Sequence, residues 1–504
     1  MNPFQLFTPN GIDFLKNLDP QEYLRENFTA DKITSKEPHI AALLQYLAEH
    51  SSQKEFIYTD PVHGQRTLPE WMLKIIDTPP LLRLANVGQM TLLSHSRLTH
   101  SIGVAILALD LATKHRLEES HTRFLVSLAL LHDVRHAPYS HLFDNFYIGD
   151  KKSPFDHDAR LHEFLVQEDL SAALKDVRVD ANKIIKALAA PENDPDGYAV
   201  KVILDRIDYN MRDGRNSRGV FTERELNRAH TDSHSLFAAI EYDRDSGIFY
   251  FTDDLPTRWI IRRFVESREL AYNRLAFDER PRLAQSLIYS EVKQALSSVN
   301  DTQAAGKLVE ALSHLSDPDL EQLLSKAGLK ALQSMKAGDA FDFVRIDGKT
   351  LTPNFIKLRG RINGGLGATT TILQKIEPLN QGFKFLVAIV PEGSPRMNFK
   401  LKGEDGSFFN IDGLATGSRS INHGLIKCVA IACYDRAGNI QSKSPFLTNK
   451  IRDIFVENGW IPHIQTFSSE YFMCGEMPEG AKEEYKRLIY NPDSVENWSG
   501  KQQP

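Results

Sequence analysis

Apolar positions recur at spacings of three and four from Pro80 to about residue 345, as in SIGVAILALDLA, TRFLVSLALLHD, YAVKVILDRIDYNM, WIIRRFVESRELAY and RLAQSLIYSEVKQAL. That period is the period of an amphipathic helix, so the long middle of the chain is expected to be nearly all helical. Ahead of it, HIAALLQYLAEH sets Ile40, Leu43, Leu44 and Leu47 on one helical face, and a second helix pattern from Pro69 through Ile76 stops before Pro79 and Pro80. DPVHG at 60–64 is a turn-like cluster, and residues 145–156, PENDPDG at 191–197 and DGRNSRG at 213–219 have loop composition. After about residue 345 the texture changes. FKFLVAIV and LIKCVAIACYD are apolar, partly β-branched runs bounded by Gly and Pro clusters, and NKIRDIFVENG has helix spacing. The expectation is a mainly α protein: a helical lead-in over 1–54, a helical core domain over 55–345 and a smaller C-terminal α+β lobe over 346–504. There is no internal repeat and no low-complexity tract.

Composition narrows the class. Hydrophobic residues at 41% and charged residues at 25% of 504 are the balance of a folded globular chain that is long enough for more than one core. A net charge of −6 argues against a surface given over to nucleic acid, although a local basic pocket stays open. Cys428, Cys433 and Cys474 have neither ligand-pair spacing nor disulfide-scaffold density, which fits a cytoplasmic chain. No stretch approaches the roughly 20 apolar residues of a spanning helix, and MNPFQLFTPNGIDF lacks the form of a secretory leader, so no membrane partner is expected.

The chemistry-bearing residues fall in the helical middle. RLTHS places His100 at a helix start, TRFLVSLALLHD delivers His132 and Asp133 together at a helix end, and VILDRIDYNMRD carries Asp205. A lone His at a helix end is more often a cap or a satisfied core residue. An adjacent His-Asp where an apolar helix would otherwise continue demands partners for buried charge, and a cation provides them. Two imidazoles and two carboxylates suit a divalent ion such as Mn, Fe, Mg or Zn, and four protein ligands leave positions for a phosphate oxygen and a water.

RLTHSIGV, LHDVRHAPYSHLFD and LDRIDYNMRD, preceded by DPVHG and IIDTP, resemble the HD-domain superfamily, and within it the deoxynucleoside triphosphate triphosphohydrolases. The likeness is strongest over about 55–280, and LIKCVAIACYD with NKIRDIFVENG resembles the same family's C-terminal lobe. No SAM domain is expected ahead of it. The resemblance implies His100, His132, Asp133 and Asp205 as metal ligands, and a catalytic group of Arg97, His136, His141, Asp144 and His157. In that group His157 is the general acid, charged with the help of Asp144, and His136 and Arg97 stabilise phosphate charge. It also implies Arg206 and Arg268 at the phosphates, and Gln89, Tyr209, Asp213 and Tyr272 around the sugar and base. Asp205, Tyr209 and Asp213 recur every four residues, which puts them on one helix face. The implied substrate is a dNTP, and the implied assembly a homo-oligomer, dimer or tetramer. The metal set alone leaves other phosphohydrolase substrates open, namely nucleoside monophosphates, cyclic dinucleotides and nucleic-acid ends. A nucleotide sensor without turnover is a further alternative.

The chain departs from the family at informative places. Asp158 stands where the family has Glu after the catalytic His, and Ala276 where vertebrate members have a Tyr near the sugar 2′-carbon. The family's guanine-reading effector pocket uses an acidic residue followed by Gln and Arg, whereas this chain has Asp77, Leu82 and Ala85. A nucleotide effector therefore either is not used or is held by different contacts.

Overall fold

The computed structural model describes residues 14–49, 55–89, 93, 95–140, 147–148, 151–152, 164–165, 167–216, 220–271, 274–275, 279–297, 302–337, 344–347, 351, 355, 366–379, 382–391, 398–412, 426–440 and 445–461. Helices dominate, as the apolar spacing predicts. Pro38–Glu49 buries Ile40, Leu43, Leu44 and Leu47, the four residues of its predicted face. Arg97–His115 and Glu119–Leu131 form the centre of the main core, and every residue from Arg97 to Ala108 is buried, polar ones included. Helix ends are chemically marked. Ser96 accepts from the Thr99 amide, Asp19 accepts from the Gln21 and Glu22 amides, and Thr222 with Glu225 forms a reciprocal capping box.

Within residues 55–252, three antiparallel hairpins lie among the helices of the described residues, the shortest of them pairing Tyr147–Ile148 with Lys151–Lys152. Glu55–Asp60 pairs antiparallel with Gly64–Pro69 across the DPVHG turn, where Gly64 takes φ +73°, a conformation that glycine adopts without strain. Glu241–Asp243 and Ile248–Thr252 form a second hairpin within the region expected to be nearly all helix. The IFYFT segment alternates, with Phe249 and Phe251 buried, and this period of two is submerged among longer three-and-four patterns on either side. Ile248–Thr252 also pairs in parallel with Asn398–Lys402, which in turn pairs with Phe408–Asp412. Phe399 and Leu401 thereby join the main core alongside Phe249 and Phe251. The helix at 205 runs to Arg215, further than the loop composition of DGRNSRG suggests.

The C-terminal lobe is built on a three-stranded antiparallel sheet in the order Val344–Asp347, Ile426–Asp435, Phe383–Pro391. Its strands are covered on both faces. Leu386, Ala388, Ala430 and Tyr434 pack with Leu283, Leu287 and Leu308 of the helical part, while Val387, Val429 and Ile431 pack with Ile372, Phe455 and Trp460. Burial on both sides explains why these strands appear in the sequence as continuous apolar runs. Cys428 and Cys433 are buried thiols. Among the described residues no helix is long and apolar enough to cross a membrane.

Candidate metal centre

Three elements bring the expected ligands together. Ser96 caps the helix that carries His100 one turn in, and the Glu119–Leu131 helix stops so that His132 is its C-cap and Asp133 begins a turn. Asp205 follows a π-helical stretch, Tyr198–Leu204, before the helix Asp205–Arg215. A π-helical turn admits an extra residue and re-aims the side chain that follows, and such turns are frequent at functional sites.

The donor atoms converge. His100 Nε2 is 3.3 Å from His132 Nε2 and 3.0 Å from Asp205 Oδ1. His132 Nε2 lies 3.6 Å from the same Asp205 oxygen and 3.4 Å from Asp133 Oδ2, which is itself 3.6 Å from His100 Nε2. Both imidazoles are fixed from behind, His132 Nδ1 at 2.7 Å from the Ala129 carbonyl and His100 Nδ1 at 2.7 Å from Asp208 Oδ2. With each Nδ1 engaged there, both Nε2 atoms turn toward the Asp205 Oδ1 and Asp133 Oδ2 oxygens. Donors bound to one ion at ~2.0–2.2 Å sit roughly 3–3.6 Å apart, so the residues present fit a divalent ion. His100, His132 and Asp205 form the metal-capable cluster among the described residues, and Asp133 Oδ2 adjoins it.

The electrostatics agree. Burial works against the His100 imidazolium, but hydrogen bonds with Asp205 and Asp208 outweigh it and push His100 up to about 10. Burial likewise opposes ionisation of Asp133, yet Arg97, His132 and His136 hold its carboxyl well below the usual range. Asp205 is depressed in the same sense through His100 and His132. A proton on His100 thus offsets carboxylate charge where a cation would otherwise do so.

Behind His100 lies a fully buried ionic network that the sequence reading missed. Asp208 Oδ1 is 2.5 Å from His63 Nε2, and Arg212 donates to both Asp208 oxygens at 2.7 and 2.8 Å and to Asp60 at 3.1 and 3.2 Å. Asp60 Oδ1 in turn accepts from the Val62 and His63 amides, so the DPVHG turn is tied to the metal side of the molecule. The close approach needs Gly103, because a Cβ there would lie 2.1 Å from Arg212 Nη2 and 2.2 Å from Asp208 Oδ1. The spacing aligns only part of this network. Gly103 is one turn after His100, Asp208 one turn after Asp205, and Arg212 four residues after Asp208.

Around Asp133, Arg97 donates through Nη1 to Asp133 itself, through Nε to Ser140 Oγ at 2.7 Å and through Nη2 to the Gln89 carbonyl at 3.4 Å. His136 Nε2 is 3.1 Å from Asp133 Oδ1, and Lys201 Nζ, a cation absent from the sequence reading, is 3.8 Å from the same oxygen. Tyr139 and Ser140 both take φ +58°, a strained conformation for residues with a Cβ, at the bend that presents Ser140 to Arg97. Further along the Asp205 helix, the Tyr209 hydroxyl accepts from Arg268 Nε, and Asp213 is buried 3.2 Å from His95. Tyr209 and Asp213 lie one turn apart on the Asp205 helix, as their spacing predicts, and Arg268 reaches Tyr209 from the Leu255–Ala271 helix. Gln89 is buried beside Arg97, and Arg206 is half-buried. His141, Asp144, His157, Asp158, Tyr272 and Ala276 lie outside the described residues. Asp77 and Leu82 line a separate open cavity of about 800 Å³ together with Lys74 and Arg25, and Ala85 is buried.

The family described as HD domain matches residues 97–217, the span that carries all four expected ligands. Over 158 residues the chain is 35% identical to the Danio rerio protein named deoxynucleoside triphosphate triphosphohydrolase SAMHD1, a match covering 29% of this chain and 25% of that protein. It is 25% identical over 254 residues to an uncharacterized protein of Mycoplasma pneumoniae, covering 45% of this chain and 57% of the relative. The matched stretches thus span between a quarter and somewhat over half of these relatives. The crystal structure of a hypothetical protein from Aquifex aeolicus superimposes with a TM-score of 0.52 at 17% identity, over 80% of this chain and all of that one, which is a likeness of fold.

Proposed function

We propose that this chain, a member of the HD phosphohydrolase superfamily, hydrolyses deoxynucleoside triphosphates to the deoxynucleoside and inorganic tripolyphosphate. The observation that supports it most is the convergence of His100, His132, Asp133 and Asp205 in one cup flanked by Arg97, His136 and Lys201. The partial relationship to a protein named for that reaction favours the dNTP over other phosphate esters.

In this reading the four residues hold a divalent cation. When bound, such an ion supplies Lewis acidity toward a phosphate oxygen and a more acidic water. Everything else falls to the chain's own side chains. Arg97 is pre-oriented by Asp133, Ser140 and the Gln89 carbonyl, so its guanidinium meets phosphate charge with little reorganisation. His136, fixed by Asp133, lies beside it. Cleavage at the α-phosphorus expels a nucleoside 5′-oxygen, which needs a proton, and His157 is proposed as the acid, oriented by Asp144 within a group that includes His141. Arg206 and Arg268 are assigned to the phosphates, and Gln89, Tyr209, Asp213 and Tyr272 to the sugar and base. The proposed domain division follows the change of texture at 54 and 345. A homo-oligomer and a cytoplasmic setting belong to the same reading.

The test is incubation of the full chain with each dNTP and Mn or Mg, with products resolved by mass. The expected products are a deoxynucleoside and tripolyphosphate, absent with Asp205→Ala. Orthophosphate or diphosphate instead would move the activity to another phosphohydrolase class. Tight dNTP binding without products across several metals would favour a sensor. Near-wild-type turnover by His157→Ala with unchanged metal content would remove His157 from the acid role.

A further inference from the structure

The residues after Leu131 present a structural problem. His132 is held by the Ala129 carbonyl and Asp205 rides on its own helix, but Asp133 and His136 sit in a turn beyond the helix end. Backbone bonds from Val134 to Leu131 and from His136 to Asp133 shape that turn. Its outward carbonyls need partners, because helix C-termini leave C=O groups without intrahelical donors.

One side chain meets that need. Arg83, the last residue of the short helix Pro79–Arg83, is fully buried. Its Nη2 donates to the His136 carbonyl at 2.7 Å and the Val134 carbonyl at 3.1 Å. Its Nη1 donates to the Leu315 carbonyl at 2.8 Å and the Ser313 carbonyl at 3.4 Å. Val134 and His136 follow the C-terminus of Glu119–Leu131, while Ser313 and Leu315 flank the C-terminus of Thr302–His314. One guanidinium therefore closes two helix C-termini at once, with a positive charge where the helix dipole favours it. The far helix end is anchored to the same wall a second time. Asp317, two residues past Leu315, accepts from the Tyr139 amide at 2.7 Å and the Gly88 amide at 3.0 Å.

We infer that Arg83 is a positioning residue for Asp133 and His136: by bridging the ends of the Glu119–Leu131 and Thr302–His314 helices it fixes the turn that presents both side chains to the metal centre. The inference rests on the metal-binding part of the proposed function, and it adds a residue in contact with none of the expected ligands' side chains. A planar fork spanning two pairs of carbonyls has no equivalent in lysine, whose donors share one atom.

The test is Mn²⁺ titration of the full chain by calorimetry, with Arg83→Lys, with Arg83→Met as an uncharged variant of similar size, and with each repeated in an Asp133→Ala background. Metal-free melting curves identify the variants that fold. Loss of an outer partner of a metal site typically weakens binding ~10–100-fold. We expect at least ~5-fold weaker Mn²⁺ binding in Arg83→Lys, a larger loss in Arg83→Met, and less than ~2-fold further change once Asp133 is absent, since Arg83 acts through it. Wild-type affinity in either folded variant, or an equal loss in both backgrounds, overturns the inference while leaving the proposed function standing. A wild-type chain that binds no divalent ion removes both.

Discussion

Asp208 Oδ2 lies 2.7 Å from His100 Nδ1, the ring nitrogen opposite the one that faces Asp205. The contact fixes the tautomer: with Nδ1–H donated to a carboxylate, Nε2 is left to face the other ligands, and its basicity rises. Asp208→Asn keeps the shape and removes the charge. Mn²⁺ affinity should drop ~10–100-fold, the usual scale for such partners. Thermal stability should also fall, because buried Arg212 loses its stronger counter-charge and keeps Asp60. Unchanged Mn²⁺ affinity in the folded variant would mean that His100 does not depend on Asp208.

Gly103 is required by contact. An added methyl would overlap both Arg212 and Asp208, and these groups are locked by their mutual hydrogen bonds and by Asp60. Gly103→Ala should cost about 3 kcal/mol or more, at the upper end of overpacking penalties, despite alanine's better helix propensity. Urea denaturation followed by circular dichroism measures this. A variant as stable as the wild type would show that the two helices separate easily.

Protons and the ion compete for one nitrogen. His100 is pushed up to about 10 in the metal-free fold against an ordinary value of 6.5, so its stabilising contribution is complete below about 6.5 and is lost as pH rises through about 10. A cation at the same point must displace that proton. Between pH 7 and 9, Mn²⁺ uptake should therefore release close to one proton per site, and affinity should rise up to about tenfold per pH unit. Calorimetry in buffers of differing ionisation enthalpy reads the proton count. Zero proton release at pH 8 would contradict the geometry at His100.

Asp77 poses the opposite case. Burial raises its carboxyl from 3.8 to about 6, so what it contributes to stability is present below about 3.8 and is lost as pH rises through about 6. Asp77 is exposed on the wall of its open cavity, so the effect is small: at pH 8 Asp77→Asn should melt at a slightly higher temperature while matching the wild type at pH 4. Leu82 and Ala85 offer no hydrogen bonds to a guanine edge, so GTP should not stimulate turnover through Asp77. A large, saturable GTP stimulation lost in Asp77→Ala would overturn that expectation.

The elements that carry His100, His132, Asp133 and Asp205 were legible because their signals are local. Ile40, Leu43, Leu44 and Leu47 share a helical face, and His132 and Asp133 interrupt an apolar run where a core should continue. The Asp208, Arg212, His63 and Asp60 network was not legible, because its meaning lies in a packing event: Asp60 and Arg212 are 152 residues apart and meet only when Gly103 lets two helices approach. Arg83 escaped for the same reason, since its partners are backbone carbonyls, which carry no residue identity in a sequence. The hairpin at 241–252 was hidden by its brevity and by helical patterns on both sides. The change at about residue 345 was visible in texture, but the pairing of Phe251 with Leu401 across it was not.

In the proposed reaction, water attacks the α-phosphorus of a dNTP at the centre formed by His100, His132, Asp133 and Asp205. This attack is tested most directly by a single-turnover reaction in ¹⁸O-labelled water with Mn²⁺, followed by mass analysis of both products. One labelled oxygen is expected in tripolyphosphate and none in the deoxynucleoside, with no reaction in Asp205→Ala. Label in the deoxynucleoside, or label in released orthophosphate with a deoxynucleoside diphosphate remaining, would contradict that attack.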